Sequence, residues 1–333
     1  MNEIGRYWKK MSVALAVLPL LGASVVLSTG SVSAQEKEAI NVGILQYVEH
    51  DSLDANREGF IAGLEEEGYI EGENLTINYL NAAADNANLQ SMSENLLNSS
   101  DFVFGIATPV AQSLVNAAVD TPIYFSSVTD PVGAGLVDDL VDKEQNVTGT
   151  IDAAPIAEQV ELLLQTKEDI QNVGILYNSG EPNSVSEAER AEAVLVEKGV
   201  EVSHHTVTST NDISQVMAAL ATQVDAVFLV TDNTIASAMP LVGDLAKEAG
   251  LPLVGGSKDM ILENGLATYG LDYFELGKQT ARMLSRQIEE GVTASEIPVE
   301  SAANLELVVN EDVAEALGID PANLQLDIKD EEN

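Results

Sequence analysis

The stretch Val224–Met239, VDAVFLVTDNTIASAM, decides the fold of this chain. Val224 to Val230 is a short run of apolar and β-branched residues, which is typical of one strand buried on both faces of a parallel sheet. Thr231–Thr234 then supply short side-chain oxygens that accept hydrogen bonds from free backbone N–H groups, and Ile235–Met239 can open a helix. The stretch therefore predicts a strand's carboxyl end meeting a helix's amino end, which is where ligands collect in open α/β sheets.

The same design occurs earlier, in Phe102–Gln112, FVFGIATPVAQ. An apolar strand is followed by Thr108, and Pro109 suits the first position of a helix because an N–H group there has no helical partner. Two such junctions predict a binding site built from two halves.

A leader precedes these elements. Basic residues at positions 6, 9 and 10 are followed by the uncharged, largely apolar run Met11–Ser28 and then by small residues up to Ala34. This order is typical of a secretory signal with a cleavage site, although the run is also long enough to stay as a membrane anchor. We therefore expect residues 1–34 to be a signal peptide or an N-terminal membrane anchor, and the rest of the chain to be exported, either secreted or tethered at the extracellular face of the cytoplasmic membrane.

The composition narrows the expected partners. The chain has 54 acidic and 15 basic side chains, a net charge of −39, and no cysteine. Such a surface repels nucleic acid and anionic lipid, so neither is an expected partner. We interpret the acidity as an adaptation to saline or alkaline surroundings, where acidic surfaces stay hydrated. Without cysteine the chain can form no disulfide and depends on its hydrophobic core.

Strand and helix patterns alternate along the chain, which predicts a parallel, doubly wound α/β sheet. The order then starts again: Val42–Leu45 (VGIL) returns as Val173–Leu176, Phe102–Pro109 corresponds to Ala226–Asn233, and Thr121–Ile123 corresponds to Leu251–Leu253. One matching segment is easily produced by chance, because parallel strands draw on few residue types. Three pairs of matching segments, in the same order and separated by nearly the same number of residues, predict two similar doubly wound lobes with a cleft between them.

The C-terminal part of the chain has more predicted strands and helices than the second lobe needs to match the first. Leu266–Leu271 and Leu305–Asn310 have strand patterns, whereas Tyr273–Glu290 and Glu311–Leu317 have helical patterns. The simplest topology that accommodates these elements returns the chain to the first lobe and then to the second lobe again. Such a chain has several hinge segments and a cleft that can close. We therefore assign residues 35–150 and 271–300 to lobe 1, and residues 151–270 and 301–333 to lobe 2.

Five stretches carry a family resemblance: Val42–Asp51 (VGILQYVEHD), Phe104–Gln112 (FGIATPVAQ), Val128–Gly133 (VTDPVG), Val230–Ala238 (VTDNTIASA) and Leu271–Gly277 (LDYFELG). With them the chain beyond the leader resembles the periplasmic-binding-protein-like solute receptors of ABC transporters, in particular the group that includes tryptophan-binding receptors of Gram-positive bacteria. The resemblance implies a type I two-lobed fold. It also implies capture of an amino acid, often aromatic, and its delivery to a membrane permease driven by an ATPase. We expect the receptor to be a monomer.

The leader departs from this family in one respect. Leu-Gly-Ala is followed by Ser24 where a lipoprotein signal has cysteine. The missing cysteine puts lipid anchoring in doubt. An uncleaved leader could anchor the protein to the membrane instead.

An amino acid ligand brings a carboxylate, an ammonium group and a side chain, which need different partners. Arginine would suit the carboxylate, but Arg57, Arg190, Arg282 and Arg286 all fall in predicted helices and none follows a strand. Helix N–H groups with nearby hydroxyls are the remaining candidates. They are Thr108 with Pro109, and Ser127 and Thr129 with Pro131. Thr108 could equally be an N-cap, or serve in both roles.

The ammonium group needs a carboxylate at the edge of the cleft. Asp232, beside Asn233 and Thr234, is the candidate we favour because it follows a strand directly. Asp130 and Asp272 are the alternatives, although Asp130 could simply form the turn before Pro131.

The ligand side chain would meet residues that follow the first strand of each lobe. These are Gln46, Tyr47, His50 and Leu53 in lobe 1, and Tyr177 and Asn178 in lobe 2. Tyr177 could stack on a ring or only pack at the strand end, and His50 could be no more than a polar residue at a helix start. His204 and His205 are neighbours on a strand and point to opposite faces, so no metal site follows from them.

No catalytic or cofactor motif competes with this interpretation. The segment around Gly133-Ala134-Gly135 lacks the third glycine of a dinucleotide fingerprint, and the chain contains no Walker loop, no G-x-S-x-G elbow and no cysteine nucleophile. We therefore expect a binding protein without a cofactor and not an enzyme. The alternatives are a nucleoside or sugar receptor, a sensory module of the same fold, or an exported α/β enzyme that uses Asp130, His50 or Asp232 as acid or base.

Overall fold

A computed structural model describes residues 37–118, 120–141 and 144–326, which belong to one compact unit. The predicted leader, residues 1–34, lies outside the described residues. Among the helices that are described, none combines the length and the apolar character that a membrane span requires.

The first lobe is built from five strands and the helices between them. The strands are β1 (Ile40–Gln46), β2 (Leu75–Asn81), β3 (Phe102–Ile106), β4 (Ile123–Val128) and β5 (Val147–Ile151), and the helices are α1 (Asp51–Glu66), α2 (Asn86–Ser99) and α3 (Thr108–Ala117). All pairs among these strands are parallel. The five residues of strand β5 are all buried, because helices cover both faces of the sheet.

The second lobe repeats this plan. Its strands are β6 (Asn172–Asn178), β7 (Glu201–Val207), β8 (Ala226–Leu229), β9 (Leu253–Gly255) and β10 (Ala267–Leu271). Its helices are α4 (Ile156–Gln165), α5 (Pro182–Glu197), α6 (Ile213–Gln223), α7 (Asn233–Ala236), α8 (Met239–Ala249) and α9 (Lys258–Asn264).

The tail then returns to both lobes. Helix α10 (Tyr273–Glu290) packs on α1, β4 and β5 of the first lobe, and β11 (Glu300–Ser301) pairs with β5. Strand β12 (Leu305–Val309) runs antiparallel to β10 at the edge of the second sheet, and α11 (Glu311–Leu317) follows it. The chain therefore passes between the sheets after β5, after β10 and after β11. The exact lobe boundaries assigned above stay a prediction.

The two sheets have corresponding orders, β11-β5-β4-β3-β1-β2 and β12-β10-β9-β8-β6-β7. Val42 of β1 pairs with Phe102 of β3, and the repeated Val173 of β6 pairs with Ala226 of β8. The two sequence repeats therefore occupy the same register in two similar sheets, and the predicted fold of two doubly wound α/β lobes is confirmed.

Some predicted boundaries differ from the structure. The strand predicted at Val224–Val230 is β8, Ala226–Leu229, and the helix after it is the single turn α7, which begins at Asn233. A separate helix, α8, starts at Met239 with Pro240 in its first turn. Proline has no N–H to continue a preceding helix, so the junction forms two short helices instead of one.

Glycines bring α10 against α1. A Cβ atom at Gly277 would lie 2.1 Å from the carbonyl oxygen of Asn56, and one at Gly59 would lie 1.9 Å from the carbonyl oxygen of Phe274. The two helices therefore approach backbone to backbone. This contact fixes the amino end of α10, and with it Tyr273, at the cleft.

Candidate ligand-binding site

Three cavities lie along the cleft, where the carboxyl ends of the strands of both lobes meet. The central cavity, about 310 Å³, is lined by His50, Ser52, Leu53, Ser127, Thr129, Asp152, Asn183, Thr231, Asp232, Asn233, Ala236, Ser257, Met260 and Tyr273. The α3–α5 cavity, also about 310 Å³, is lined by Thr108, Asp130, Gly133, Ala134, Pro182, Asn183 and Ser186. The wide cavity, about 920 Å³, is lined by Tyr47, Val48, Ala83, Ala84, Asn86, Asn178, Gly180, Thr208, Ser209, Thr210, Thr234 and Ser237.

Two buried carboxylates face the central cavity, one from each lobe. Asp152 follows β5 and is 2% exposed; its oxygens accept hydrogen bonds from Thr129 Oγ1 at 3.0 Å and from the Tyr273 hydroxyl at 2.8 Å. Asp232 follows β8 and is also 2% exposed; it accepts from the backbone N–H groups of Ile235 at 2.8 Å and Asn178 at 2.7 Å. A carboxylate offers about four lone pairs, so each group can still accept a hydrogen bond from a ligand.

Burial raises the pKa of both carboxyl groups. For Asp232 the nearby charge of Glu181 raises the pKa further. No lysine or arginine is among the described residues that line the central cavity. The cavity is thus a place where a cationic group of a ligand would be favoured.

Two more buried carboxylates support the second-lobe wall. Glu181 accepts from the side chains of Asn233 at 2.6 Å and Thr234 at 2.8 Å, which fixes the start of α7. Glu187 of α5 accepts from the backbone N–H of Thr231 at 3.1 Å, while its second oxygen has no partner. Burial, and then the charge of Asp152, raise the pKa of Glu187 to about 7.

Two hydroxyl groups at the strand ends of lobe 1 have no protein partner. Ser127 Oγ, at the central cavity, and Thr108 Oγ1, at the α3–α5 cavity, are both buried and unpaired. Ser127 has φ 55°, a left-handed conformation that a serine adopts at a cost. These are the donors that a ligand carboxylate needs.

The lobes touch across the cleft. Ser52 Oγ of α1 and Ser257 Oγ, the N-cap of α9, are 2.8 Å apart and buried. Beside them His50 Nε2 lies 3.4 Å from Asn233 Oδ1. His50 keeps some exposure as a residue, yet its Nδ1 is buried without a partner, and burial lowers its pKa to about 4. The structure is therefore a closed form of the cleft.

The structure brings most of the predicted site residues to the cleft. His50, Leu53, Ser127, Thr129, Asp232 and Asn233 line the central cavity; Thr108 and Asp130 line the α3–α5 cavity; Tyr47, Asn178 and Thr234 line the wide cavity. The interpretation of Thr108 as an N-cap is wrong, because Ala107 occupies that position and Thr108 is the first helical residue. Asp130 does form the turn considered for it, since it accepts from the Gly133 N–H at 2.8 Å.

Five predicted residues line none of the three cavities. Pro109 and Pro131 stand beside lining residues, and Gln46 is held by Asp54 and Arg57. Tyr177 contacts His204, whose Nδ1 lies 3.2 Å from the Tyr177 hydroxyl. Asp272 caps α10 and pairs with Lys258 at 3.1 Å, at a separate hollow near the hinge. The four arginines lie in helices, as predicted.

Several cavity residues were missed by the sequence analysis. Asp152 directly follows β5, so the rule that selected Asp232 would also have selected it, but the sequence analysis placed only a lobe boundary there, between residues 150 and 151. Asn183, Ser257 and Tyr273 sit at the starts of helices, a signal too common to single them out. In the part of the chain that the structure describes, no cluster of three or more His, Asp or Glu side chains could hold a metal ion.

Two similar α/β lobes joined by three segments, with a polar cavity enclosed between them, define a solute receptor of the type I periplasmic binding protein fold. Residues 41–327 match the family model of the ABC transporter substrate binding protein. The chain therefore belongs to this family.

Three relatives extend this result. A tyrosine-binding protein of Clostridioides difficile is 33% identical, with 97% of each chain covered. The crystal structure of an ABC domain in complex with L-Trp, from Streptococcus pneumoniae, is 35% identical, covers 86% of this chain and 98% of its own, and superposes with a TM-score of 0.81. The ligand-free, open structure of a substrate binding protein from Clostridium difficile is 34% identical over 85% of this chain and 96% of its own, with a TM-score of 0.65.

The two structures are about equally similar in sequence, yet the ligand complex superposes better than the open, ligand-free form. This difference agrees with the contact between Ser52 and Ser257, which requires closed lobes.

Proposed function

We propose that the protein captures a free aromatic amino acid, with tryptophan as the first candidate, by closing its lobes around it. It then delivers the ligand to an ABC permease and its ATPase at the extracellular face of the cytoplasmic membrane. The observation that carries the proposal is the pair Asp152 and Asp232, buried carboxylates from opposite lobes that face one cavity lined by no described lysine or arginine.

The ammonium group of the ligand supplies the missing cation. Burying a carboxylate is costly unless it is paired, and here the hydroxyl and backbone donors satisfy only part of each group. An ammonium group between Asp152 and Asp232 would bind both lobes at once. Ligand binding and lobe closure are then the same event.

The rest of the ligand has complementary surfaces. The unpaired hydroxyls of Ser127 and Thr108, with the nearby start of α3, suit the carboxylate. Leu53, Ala236 and Met260 give the central cavity an apolar wall, and a methionine sulfur contacts aromatic rings favourably. The names of two relatives, one tyrosine-binding and one solved with L-Trp, support the aromatic class.

The proposal includes no chemical step. The buried carboxylates are held by hydroxyl and backbone donors, and their arrangement serves binding instead of turnover. We also propose that the protein acts as an exported monomer; the leader pattern in residues 1–34 and the family support export.

The test is a titration of the protein from residue 35 onward, unfolded and refolded to remove bound ligand. The sole tryptophan, Trp8, lies in the leader, so indole fluorescence then reports the ligand alone. We expect submicromolar binding of L-tryptophan or L-tyrosine, with an indole spectrum typical of a buried ring when the ligand is tryptophan, and no turnover of the ligand. Binding of a nucleoside or sugar with none of the amino acids would contradict the proposal.

A further inference from the structure

We propose that the wide cavity is a second binding site, which takes an uncharged, hydroxyl-rich molecule, a polyol or a sugar, while the amino acid occupies the central cavity. The wide cavity lies where the outer strands β2 and β7 end, between Ala83 and Ala84 of lobe 1 and Thr208–Thr210 of lobe 2. The proposed function makes no use of it. A molecule bound there would contact both lobes.

The wide cavity is separate from the central cavity. The single-turn helix α7 stands between them: Asn233 and Ala236 line the central cavity. Thr234 and Ser237, one position further along, line the wide cavity. Residues three apart share one face of a helix, so α7 presents a different face to each cavity. His50 of lobe 1 lines only the central cavity and contacts Asn233 across the cleft. An amino acid in the central cavity therefore leaves the wide cavity available.

The lining of the wide cavity is polar but uncharged. Of its twelve residues, eight carry a hydroxyl or amide group and none is Asp, Glu, Lys, Arg or His, although the chain has 54 acidic side chains. Two neighbouring carboxylates already accept protein hydrogen bonds, Glu181 from Thr234 and Asp212 from Thr208. A charged ligand would lose its hydration here without gaining a counter-charge. The hydroxyl groups of a polyol can both donate to such a lining and accept from it.

A free hydroxyl marks the lobe 1 wall. Tyr47 is 7% exposed and lines the cavity, and its hydroxyl forms no hydrogen bond with any residue that the structure describes. Burial, and then the charges of Glu181 and Asp232, raise the pKa of Tyr47 to about 12, so the hydroxyl keeps its proton and can donate it to a ligand.

The loop beside Tyr47 is held in a strained conformation. The backbone N–H of Ala84 donates to the Tyr47 carbonyl at 2.9 Å, and Ala83 and Ala84 have left-handed φ angles of 54° and 56°. Residues other than glycine adopt this conformation at a cost, and such strain collects at binding sites. The small alanine side chains leave the space between the lobes open.

A ligand in the wide cavity should strengthen amino acid binding. Both cavities have walls from both lobes, so each ligand favours the closed form that the other needs. The coupling is reciprocal, so the polyol and the amino acid must raise each other's affinity by the same factor.

The test measures tryptophan binding by indole fluorescence at rising millimolar concentrations of myo-inositol or trehalose, on the refolded protein from residue 35 onward. Glycine betaine, which has no hydroxyl group, is the control for the exclusion effects common to osmolytes. Calorimetric titration of each polyol, with and without tryptophan, measures its binding directly.

A pair of double variants locates the effect. Asn86→Leu with Thr210→Val removes one polar group from each wall of the wide cavity, and neither residue lines the central cavity. Asn88→Leu with Thr222→Val is the matched control, with the same changes at exposed positions of α2 and α6 outside the cavity. Thermal unfolding of each variant verifies the fold.

We expect at least one of the two polyols to tighten tryptophan binding about fivefold or more, with saturation, and betaine to have no such effect. The Asn86→Leu, Thr210→Val variant should lose most of this gain and bind tryptophan alone as wild type does, whereas the control variant should keep the gain. Tyr47→Phe should weaken polyol binding in the direct titration.

The outcomes separate the second site from the proposed function. Tryptophan affinity that neither polyol changes overturns the second site alone. A polyol that weakens tryptophan binding by competition overturns it too, and so does an equal gain in both double variants. No binding of any aromatic amino acid overturns the proposed function. In that case saturable polyol binding that the Asn86→Leu, Thr210→Val changes weaken would still support the site in the wide cavity.

Discussion

The hydroxyl groups of Ser52 and Ser257 are 2.8 Å apart across the cleft, although the residues are 205 positions apart in the chain. Ser52 belongs to α1 of the first lobe and Ser257 caps α9 of the second. Both side chains are buried in the closed form, so the contact can exist only when the lobes are together. The pair is a direct marker of closure.

A disulfide at this pair should lock the cleft. The natural chain has no cysteine, so Ser52→Cys combined with Ser257→Cys introduces a single possible cross-link. We expect oxidation in the presence of ligand to slow ligand release by orders of magnitude, and reduction to restore it. Release is followed by the loss of bound indole fluorescence. A cross-link that forms fully yet leaves the release rate at the value of the single Ser52→Cys variant would contradict the closed form described here.

Asp152 should be essential for ligands that carry an ammonium group. Asp152→Asn keeps the shape and one of the two acceptor oxygens that receive the hydroxyls of Tyr273 and Thr129, but it removes the charge. Breaking one partner of a buried ion pair costs about 3–5 kcal/mol, so we expect tryptophan affinity to fall at least about a hundredfold. Indole-3-propionate, which lacks the ammonium group, should bind wild-type protein and the variant alike. Similar tryptophan affinities of the two proteins would exclude Asp152 as the ammonium partner.

The sequence predicted the lobes and the strand ends well because these follow from local patterns. The register shared by Val42 and Val173 was visible as a repeat, and Asp232 stood out as a polar residue after a buried strand. Which strand ends face each other depends on lobe closure, which no local pattern contains. For this reason the sequence could not predict the contact between Ser52 and Ser257. It also could not predict that Tyr177 contacts His204 and does not line the cleft.

Asp152 was missed for a different reason. It comes directly after a buried strand, as the strand-end rule requires, but it stands where the chain leaves the first lobe and was assigned to the lobe boundary instead of the site. Its partner Tyr273 comes from α10, which reaches the first lobe only because Gly277 and Gly59 allow close helix packing.

Gly277→Ala should therefore destabilise the protein strongly. The added Cβ would lie 2.1 Å from the carbonyl oxygen of Asn56 and 2.7 Å from the N–H nitrogen of Phe60, both backbone atoms of α1. The helices must separate, and we expect a loss of about 3 kcal/mol in the free energy of unfolding, measured by urea denaturation. Gly270→Ala is the control, because its nearest neighbour would be 3.6 Å away. Equal stability of the two variants would contradict the close approach of α1 and α10.

Glu187→Gln should stabilise the ligand-free protein at high pH. Burial raises the pKa of Glu187 from 4.5 to about 7, so the folded protein binds this proton more tightly than the unfolded chain. The stability that protonation confers is full below pH 4.5 and is lost as the pH rises towards 7 and above. We expect the variant to exceed wild type by about 2 kcal/mol at pH 8 and by much less at pH 5.

The control for this comparison is Glu189→Gln, an exposed position on the same helix. Thermal unfolding at several pH values is the measurement. A stability difference between Glu187→Gln and wild type that does not change with pH would show that Glu187 is not held protonated by its surroundings.

His50→Gln should flatten the acid side of the pH profile of ligand affinity. In the closed form burial lowers the pKa of His50 from 6.5 to about 4, although its hydrogen bond to Asn233 and the charges of Asp54 and Asp51 act in the opposite direction. Opening the cleft returns the ring to water and its pKa towards 6.5, so the open form binds this proton more tightly. The histidine thus favours closure fully above pH 6.5 and loses that contribution as the pH falls towards 4.

The difference in pKa sets an upper limit of about thirtyfold on the resulting loss of affinity at pH 5. Asp152 and Asp232 also face this cavity, burial raises the pKa of each, and they weaken ammonium binding when protonated. Their effect is common to both proteins, so the ratio of wild-type to His50→Gln dissociation constants isolates the histidine. We expect that ratio to rise about tenfold or more between pH 7 and pH 5 in tryptophan titrations. A constant ratio would mean that His50 keeps the same environment when the lobes open, and the contact with Asn233 would then not be a part of closure.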